Sequence, residues 1–165
     1  MLDKLLILAC VLIFVLSCVV VEFPLGLNAA LLTTVLGAAA VFLFRRTTDE
    51  KRFITQTFLT ALVLRMAFGI FVHVLELRDF FGGDAFSYDE AGAGMIAVWL
   101  GSPTAQDMLI YRNTALGSAW GMHYLTGAIY FVIGRNIFAA QSFCAVIGAA
   151  TAPMVFLCSK KIYKN

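Results

Sequence analysis

The chain has 165 residues, of which 61% are apolar and 13% charged, about half the charged share of a typical soluble domain. Mean hydropathy is +0.89 and the formal net charge is +2. These values exclude a disordered tail, a collagen, a nucleic-acid-binding arm and an ordinary soluble enzyme, and they leave an integral protein of the lipid bilayer.

A helix that crosses a bilayer needs about 20 mostly apolar residues. Leu5 to Val21 carries no charge, and neither does Leu25 to Phe44. Between them stands Glu22-Phe23-Pro24. Proline cannot continue a helix, so the two runs are predicted to form a tight hairpin of spans. The first run is longer than a usual signal-peptide core, and no Ala-x-Ala pattern follows it, so it is read as a retained span. Arg45, Arg46, Lys51 and Arg52 then lead into a third span, Phe53 to Leu75, and Ile137 to Cys158 makes a fourth. The fold expected is all-α and integral to the membrane: four transmembrane helices, with a long outer loop over residues 78–136 that carries interfacial helices. Residues 1–52 form the hairpin and a basic cytoplasmic loop, and residues 53–165 a second module.

Charge orients the spans, because basic residues gather on the cytoplasmic side. With the N-terminus inside, Lys4, Arg45, Arg46, Lys51, Arg52, Lys160, Lys161 and Lys164 face the cytoplasm against only Asp3, Asp49 and Glu50. Outside, Arg78, Arg112 and Arg135 stand against Glu22, Glu76, Asp79, Asp84, Asp89, Glu90 and Asp107. Tyr124 to Ile133 is apolar but is bounded by Gly121 and Gly134, too short to cross, and is read as an interfacial helix. Both termini are then cytoplasmic. The cysteines, Cys10, Cys18, Cys144 and Cys158, all fall in spans with no Cys-x-x-Cys spacing, and are read as small packing residues.

Arg65, Gly69, His73 and Glu76 are spaced to share one face of the third span. Arg65 lies about 18 Å from the cytoplasmic end at the helical rise. A charge at that depth normally faces a bundle interior or a wet cavity. The other three spans hold no acid to pair with it. Gln141 or a backbone carbonyl is the candidate within the chain. The alternatives are an anionic lipid headgroup or a partner outside the chain.

The outer loop opens with Gly82-Gly83-Asp84-Ala85-Phe86-Ser87-Tyr88-Asp89-Glu90. On a helix Asp84 and Tyr88 share a face. Asp84 would then sit at the mouth of the bundle, where a carboxylate can accept a proton from a nucleophile or help hold a divalent cation. The plainer alternative makes Asp84 an N-cap and Ser87…Glu90 a capping box, with Asp89 and Glu90 favouring the helix's positive end. A mostly small and apolar helix is predicted from Ser87 to Leu100, stopped by Gly101-Ser102-Pro103. Thr104 to Ala119 is the most soluble part of the loop, and a second interfacial helix carries His123, Tyr124 and Tyr130.

An apolar span with Arg65, followed by Gly82-Gly83-Asp84-x-x-x-Tyr88, resembles the start of a GT-C type polytopic glycosyltransferase. The likeness is to bacterial members similar to protein mannosyltransferases and to the lipid A aminoarabinose transferase. Tyr124-Leu125-x-x-Ala128-Ile129-Tyr130-x-x-Ile133-Gly134 and a span ending in Lys160-Lys161-Ile162-Tyr163 extend the resemblance over about 53–165. It implies transfer of a sugar from a polyprenyl-phosphate donor to an acceptor on the outer face of a bacterial inner membrane. It also implies a catalytic role for Asp84, with substrate contacts from Tyr88, Arg65 and His73. Ala85 stands where many relatives carry a second acid, and a divalent cation at Asp84 is the cofactor the resemblance raises. Such enzymes have many more spans. The expectation is therefore an N-terminal portion, inactive alone, completed by C-terminal spans or a partner subunit. The alternative expectation is a non-enzymatic multi-pass membrane protein, an accessory subunit or transporter fragment.

Overall fold

Four long helices follow directly from the apolar runs. In a computed structural model, which describes residues 2–77, 80, 83–117 and 120–163, they are α1 (Leu2–Val20), α2 (Leu25–Thr47), α3 (Lys51–Val74) and α7 (Ile137–Tyr163). Each is long and apolar enough to cross a bilayer. Among the described residues, three shorter helices lie between α3 and α7: α4 (Gly83–Trp99), α5 (Ala105–Leu116) and α6 (Trp120–Ile133). Every regular element among the described residues is an α-helix. The chain is thus an all-helical, multi-pass membrane protein.

Polar contacts fix which helix ends meet. Arg52 pairs with Asp3 at 2.8 Å, and Gln56 donates to the same carboxylate at 2.7 Å. Lys160 pairs with Glu50. The start of α1, the α2–α3 turn and the end of α7 therefore share one end of the bundle, together with Arg45, Arg46, Lys51 and Lys161. At the other, distal end, Asn136 Nδ2 donates to the Leu25 carbonyl at 2.8 Å. Its Oδ1 accepts from the Ala139 N–H at 3.1 Å, which makes Asn136 the N-cap of α7. The preceding Gly134 has φ +83°, a left-handed corner that ends α6 and suits glycine.

Packing inside the bundle follows one stripe of α3. Ile54, Phe58, Leu62, Met66 and Ile70 recur every fourth residue and are all buried. Phe58, Leu62, Met66 and Ile70 share one core with small residues on the neighbours: Ala29 of α2, Ala139 and Ala149 of α7. Small residues let helix backbones approach within a membrane, where lipid offers no hydrophobic drive for association. Buried hydroxyls are satisfied within their own helices, Ser17 on the Ile13 carbonyl, Thr33 on Ala29 and Ser142 on Phe138.

The three short helices form a cap at the distal end. α4 lies between α5 and α6, which also touch each other, while α6 reaches α7. Close approach of α4 to α6 needs glycine. A Cβ on Gly92 would stand 2.7 Å from Thr126 Cγ2, and one on Gly127 would stand 3.1 Å from Trp99 Cη2. Thr104 begins α5 with a reciprocal cap. Its hydroxyl accepts from the Asp107 N–H at 3.1 Å, and its own N–H donates to Asp107 Oδ2 at 2.8 Å. The Thr104 hydroxyl also donates to Asp107 Oδ2 at 2.7 Å, and this bond, with that from the Thr104 N–H, holds the Asp107 pKa below its ordinary value.

Several sequence expectations are corrected here. The first cap helix starts at Gly83, not Ser87. Ser87 is therefore mid-helix and no capping box forms there, and Asp84 is a first-turn residue, not an N-cap. Thr104 to Ala119, read only as the most soluble part of the loop, is found to contain a regular helix, α5. Glu76 does not continue the face of Arg65, because α3 ends at Val74 and Glu76 turns left-handed at φ +53°. Arg78, Asp79 and Gly82, where the loop and the glycine pair were placed, lie outside the described residues.

Candidate functional site

Asp84 sits in the first turn of α4, and its side chain is exposed. One turn on, Tyr88 is half-buried, and its ring lies 5.2 Å from the His123 ring of α6, tilted by 56°. The spacing of Asp84 and Tyr88 is the one expected from sequence. The third member of the group, His123, is an addition from the fold.

His123 Nδ1 is buried and has no hydrogen-bond partner. Burial pushes the imidazole pKa below its ordinary value, so the neutral ring prevails at pH 7. The neutral imidazole lies against Tyr88, one helical turn from the exposed Asp84. Nothing in the local sequence marks His123, because its partner lies on another helix.

A second polar feature is a recess of about 470 Å³ between the cap and the bundle. Val20, Val21, Leu25 and Phe138 make its apolar wall, and Glu22, His73, Asp89, Arg135 and Asn136 its polar one. Asp89 is the centre of this cluster. It accepts from the Tyr130 hydroxyl at 2.6 Å and from Arg135 Nε at 3.2 and 3.3 Å, with Arg135 Nη2 closing the fork. The carboxylate raises the Arg135 pKa. Asp89 is thus a latch between α4 and the α6–α7 corner, a role different from the helix-end charge expected of it.

His73 lines the same recess, its ring 5.6 Å from that of Phe138. Arg65 is elsewhere. It lies nine residues before Val74, about 14 Å down α3 at the helical rise, in the bundle and not in the cap. Its guanidinium rests on Gly148 of α7, where a Cβ would stand 2.8 Å from Cζ. Gln141, the neighbour expected from sequence, does not meet it: the Gln141 Oε1 is buried without a partner. The candidate residues therefore separate into three places: Asp84 and Tyr88 at the cap mouth, His73 in the recess, and Arg65 in the mid-bundle.

Among the described residues no group of three or more His, Cys, Asp or Glu side chains stands together as a metal site. Asp84 would offer a cation a single carboxylate. Comparison of the chain with family models, with curated proteins and with solved structures finds no match.

Proposed function

We propose that this chain serves sugar transfer from a polyprenyl-phosphate donor, as the N-terminal part of a GT-C-like membrane glycosyltransferase. The observation that carries the proposal is the position of Asp84: exposed in the first turn of the helix that follows the third span, at the end of the bundle opposite the basic residues. The motif resemblance supplies the chemistry. Asp84 accepts the proton of an acceptor hydroxyl. The freed oxygen bonds to the anomeric carbon, the bond from that carbon to the carrier phosphate breaks, and its electron pair leaves on the phosphate oxygen. Tyr88, a turn further along the same face, contacts the substrate. The distal end then faces outward from a bacterial inner membrane, and both termini are cytoplasmic, as the distribution of basic residues favours.

The test is Asp84→Asn in the native membranes, with labelled polyprenyl-phosphate sugars as donors. Removal of a general base is expected to slow transfer by about 10²-fold or more, with the protein accumulating normally. Undiminished transfer would remove Asp84 from the chemistry. A non-catalytic, multi-pass role is the second reading. In its favour, no described group of three or more acids, histidines or cysteines stands at Asp84. That reading predicts no transfer by the wild-type membranes above those lacking the protein.

A further inference from the structure

The bundle carries one charge at mid-depth, and its own spans do not neutralise it. Gly148, on which the Arg65 guanidinium rests, is 11 residues from Ile137 and 12 from Lys160 along α7. At the helical rise these are about 17 and 18 Å. Arg65 itself is 14 residues from Lys51, about 21 Å, and its side chain leans back toward that end. Both helices therefore place the guanidinium near the centre of a hydrocarbon core about 30 Å thick. That is too deep for an arginine stem to carry its charge to either interface.

Arg65 is also on the outside of the bundle. It is exposed, as are Leu64 and Phe68 on α3 and Ile147 and Thr151 on α7. Among the described residues it has no ion pair. The buried stripe of α3 points the other way. An unpaired guanidinium in hydrocarbon costs several kcal/mol by the lowest of the scales available, so the bound state of this face must supply a counter-charge. Lipid phosphates lie at the interfaces, too far away. A second copy of these four helices cannot provide it, because the only acid in them is Asp3, in the first turn of α1.

We infer that the Arg65–Gly148 face docks a transmembrane helix of a partner membrane protein, through a carboxylate that this helix carries at mid-bilayer. Gly148 is part of the device. Its missing side chain leaves room for the guanidinium against α7, and a Cβ on Gly69 of α3 would meet nothing within 4 Å. Bidentate pairing with a carboxylate suits the fixed fork of arginine. This inference does not depend on the proposed sugar transfer and survives its failure.

The test is photocross-linking in native membranes, with p-benzoylphenylalanine replacing Ile147 in one variant and Leu64 in another. The expected product is an adduct with a second membrane polypeptide, whose cross-linked span contains an Asp or Glu at mid-depth. Arg65→Leu should lower its yield at least about tenfold, since breaking one side of a desolvated charge pair costs at least that much affinity. Gly148→Leu, which keeps the charge but fills that room, should lower it too. Arg65→Asp together with the partner's acid changed to Arg should restore it. Adducts with lipid alone, adducts only with a second copy, a cross-link to further spans of the same polypeptide, a partner span lacking any acid, or a yield indifferent to Arg65→Leu would each overturn the inference. Normal accumulation of Arg65→Leu, expected because the change removes a costly charge, separates loss of docking from loss of folding.

Discussion

Single residues carry contrasts that the fold makes testable. Glu76 has φ +53°, a conformation that costs a non-glycine residue about 1–2 kcal/mol. It occupies the place of the left-handed residue that closes a helix: the Leu77 N–H reaches back to the Val72 carbonyl at 3.0 Å. Glu76→Gly is therefore expected to raise stability by up to about 1 kcal/mol, read from thermal unfolding in detergent. His123 gives the pH contrast. Burial lowers its pKa in the folded state, so the folded chain binds fewer protons than the unfolded one as the pH falls. Its contribution is intact above the ordinary histidine pKa and is lost on acidification. Lowering the pH from about 7.5 to about 5.5 should destabilise the cap, and His123→Gln should flatten that dependence. The Asp84–Tyr88 spacing was readable from the sequence because it is local to one helix. His123 was not, because its contact with Tyr88 crosses from α6 to α4.

At the scale of elements, hydropathy predicted the four long helices to within a few residues at most boundaries. Length and apolarity are properties of a contiguous run, and they survive whatever the run packs against. The cap was less legible. α5 has neither a strong apolar face nor a polar one, and its start depends on the Thr104–Asp107 pair. α4 begins four residues earlier than expected, because a helix can start at Gly83 as readily as at a capping box. Glycines divide the same way. Gly92 and Gly127 are contact positions, whereas a Cβ on Gly121, at the start of α6, would meet nothing within 4 Å. Gly92→Leu should separate α4 from α6 and cost about 1–3 kcal/mol of stability. Gly121→Ala should be neutral or gain up to about 1 kcal/mol through helix propensity. Thermal unfolding of the pair, side by side, checks the α4–α6 contact.

For the whole molecule, the arrangement that matters is a membrane bundle with a helical cap tied on at one corner. Cysteines introduced one at a time into a cysteine-free background map its orientation. Met122→Cys, in the cap, is expected to react with an impermeant maleimide added outside intact cells. Thr47→Cys, at the basic end, is expected to react only after permeabilisation. The reverse pattern would invert the topology. The tie itself is Asp89. Its side chain is 14% exposed, against 58% for Arg135, so the Arg135 pairing is partly screened by water and the Tyr130 hydroxyl bond is the stronger share. Asp89→Asn should lower cap stability by about 1–3 kcal/mol, seen as faster amide exchange in α4 with α2 and α3 unchanged. Sequence alone could not have located this tie. Asp89 and Arg135 are 46 residues apart, and the link between Asn136 and Leu25 spans 111.

That separation also sets a schedule for the protein's synthesis. A ribosome adding about 5–20 residues per second needs roughly 2–9 s to travel from Asp89 to Arg135. Through that interval α4 has left the ribosome before its anchor exists, and the Leu25 carbonyl waits for Asn136 over a longer one still. The cap can therefore close only after the start of α7 has been delivered to the membrane, so a nascent chain stalled before residue 135 should carry all of α1 to α6 with its distal face still open to proteases.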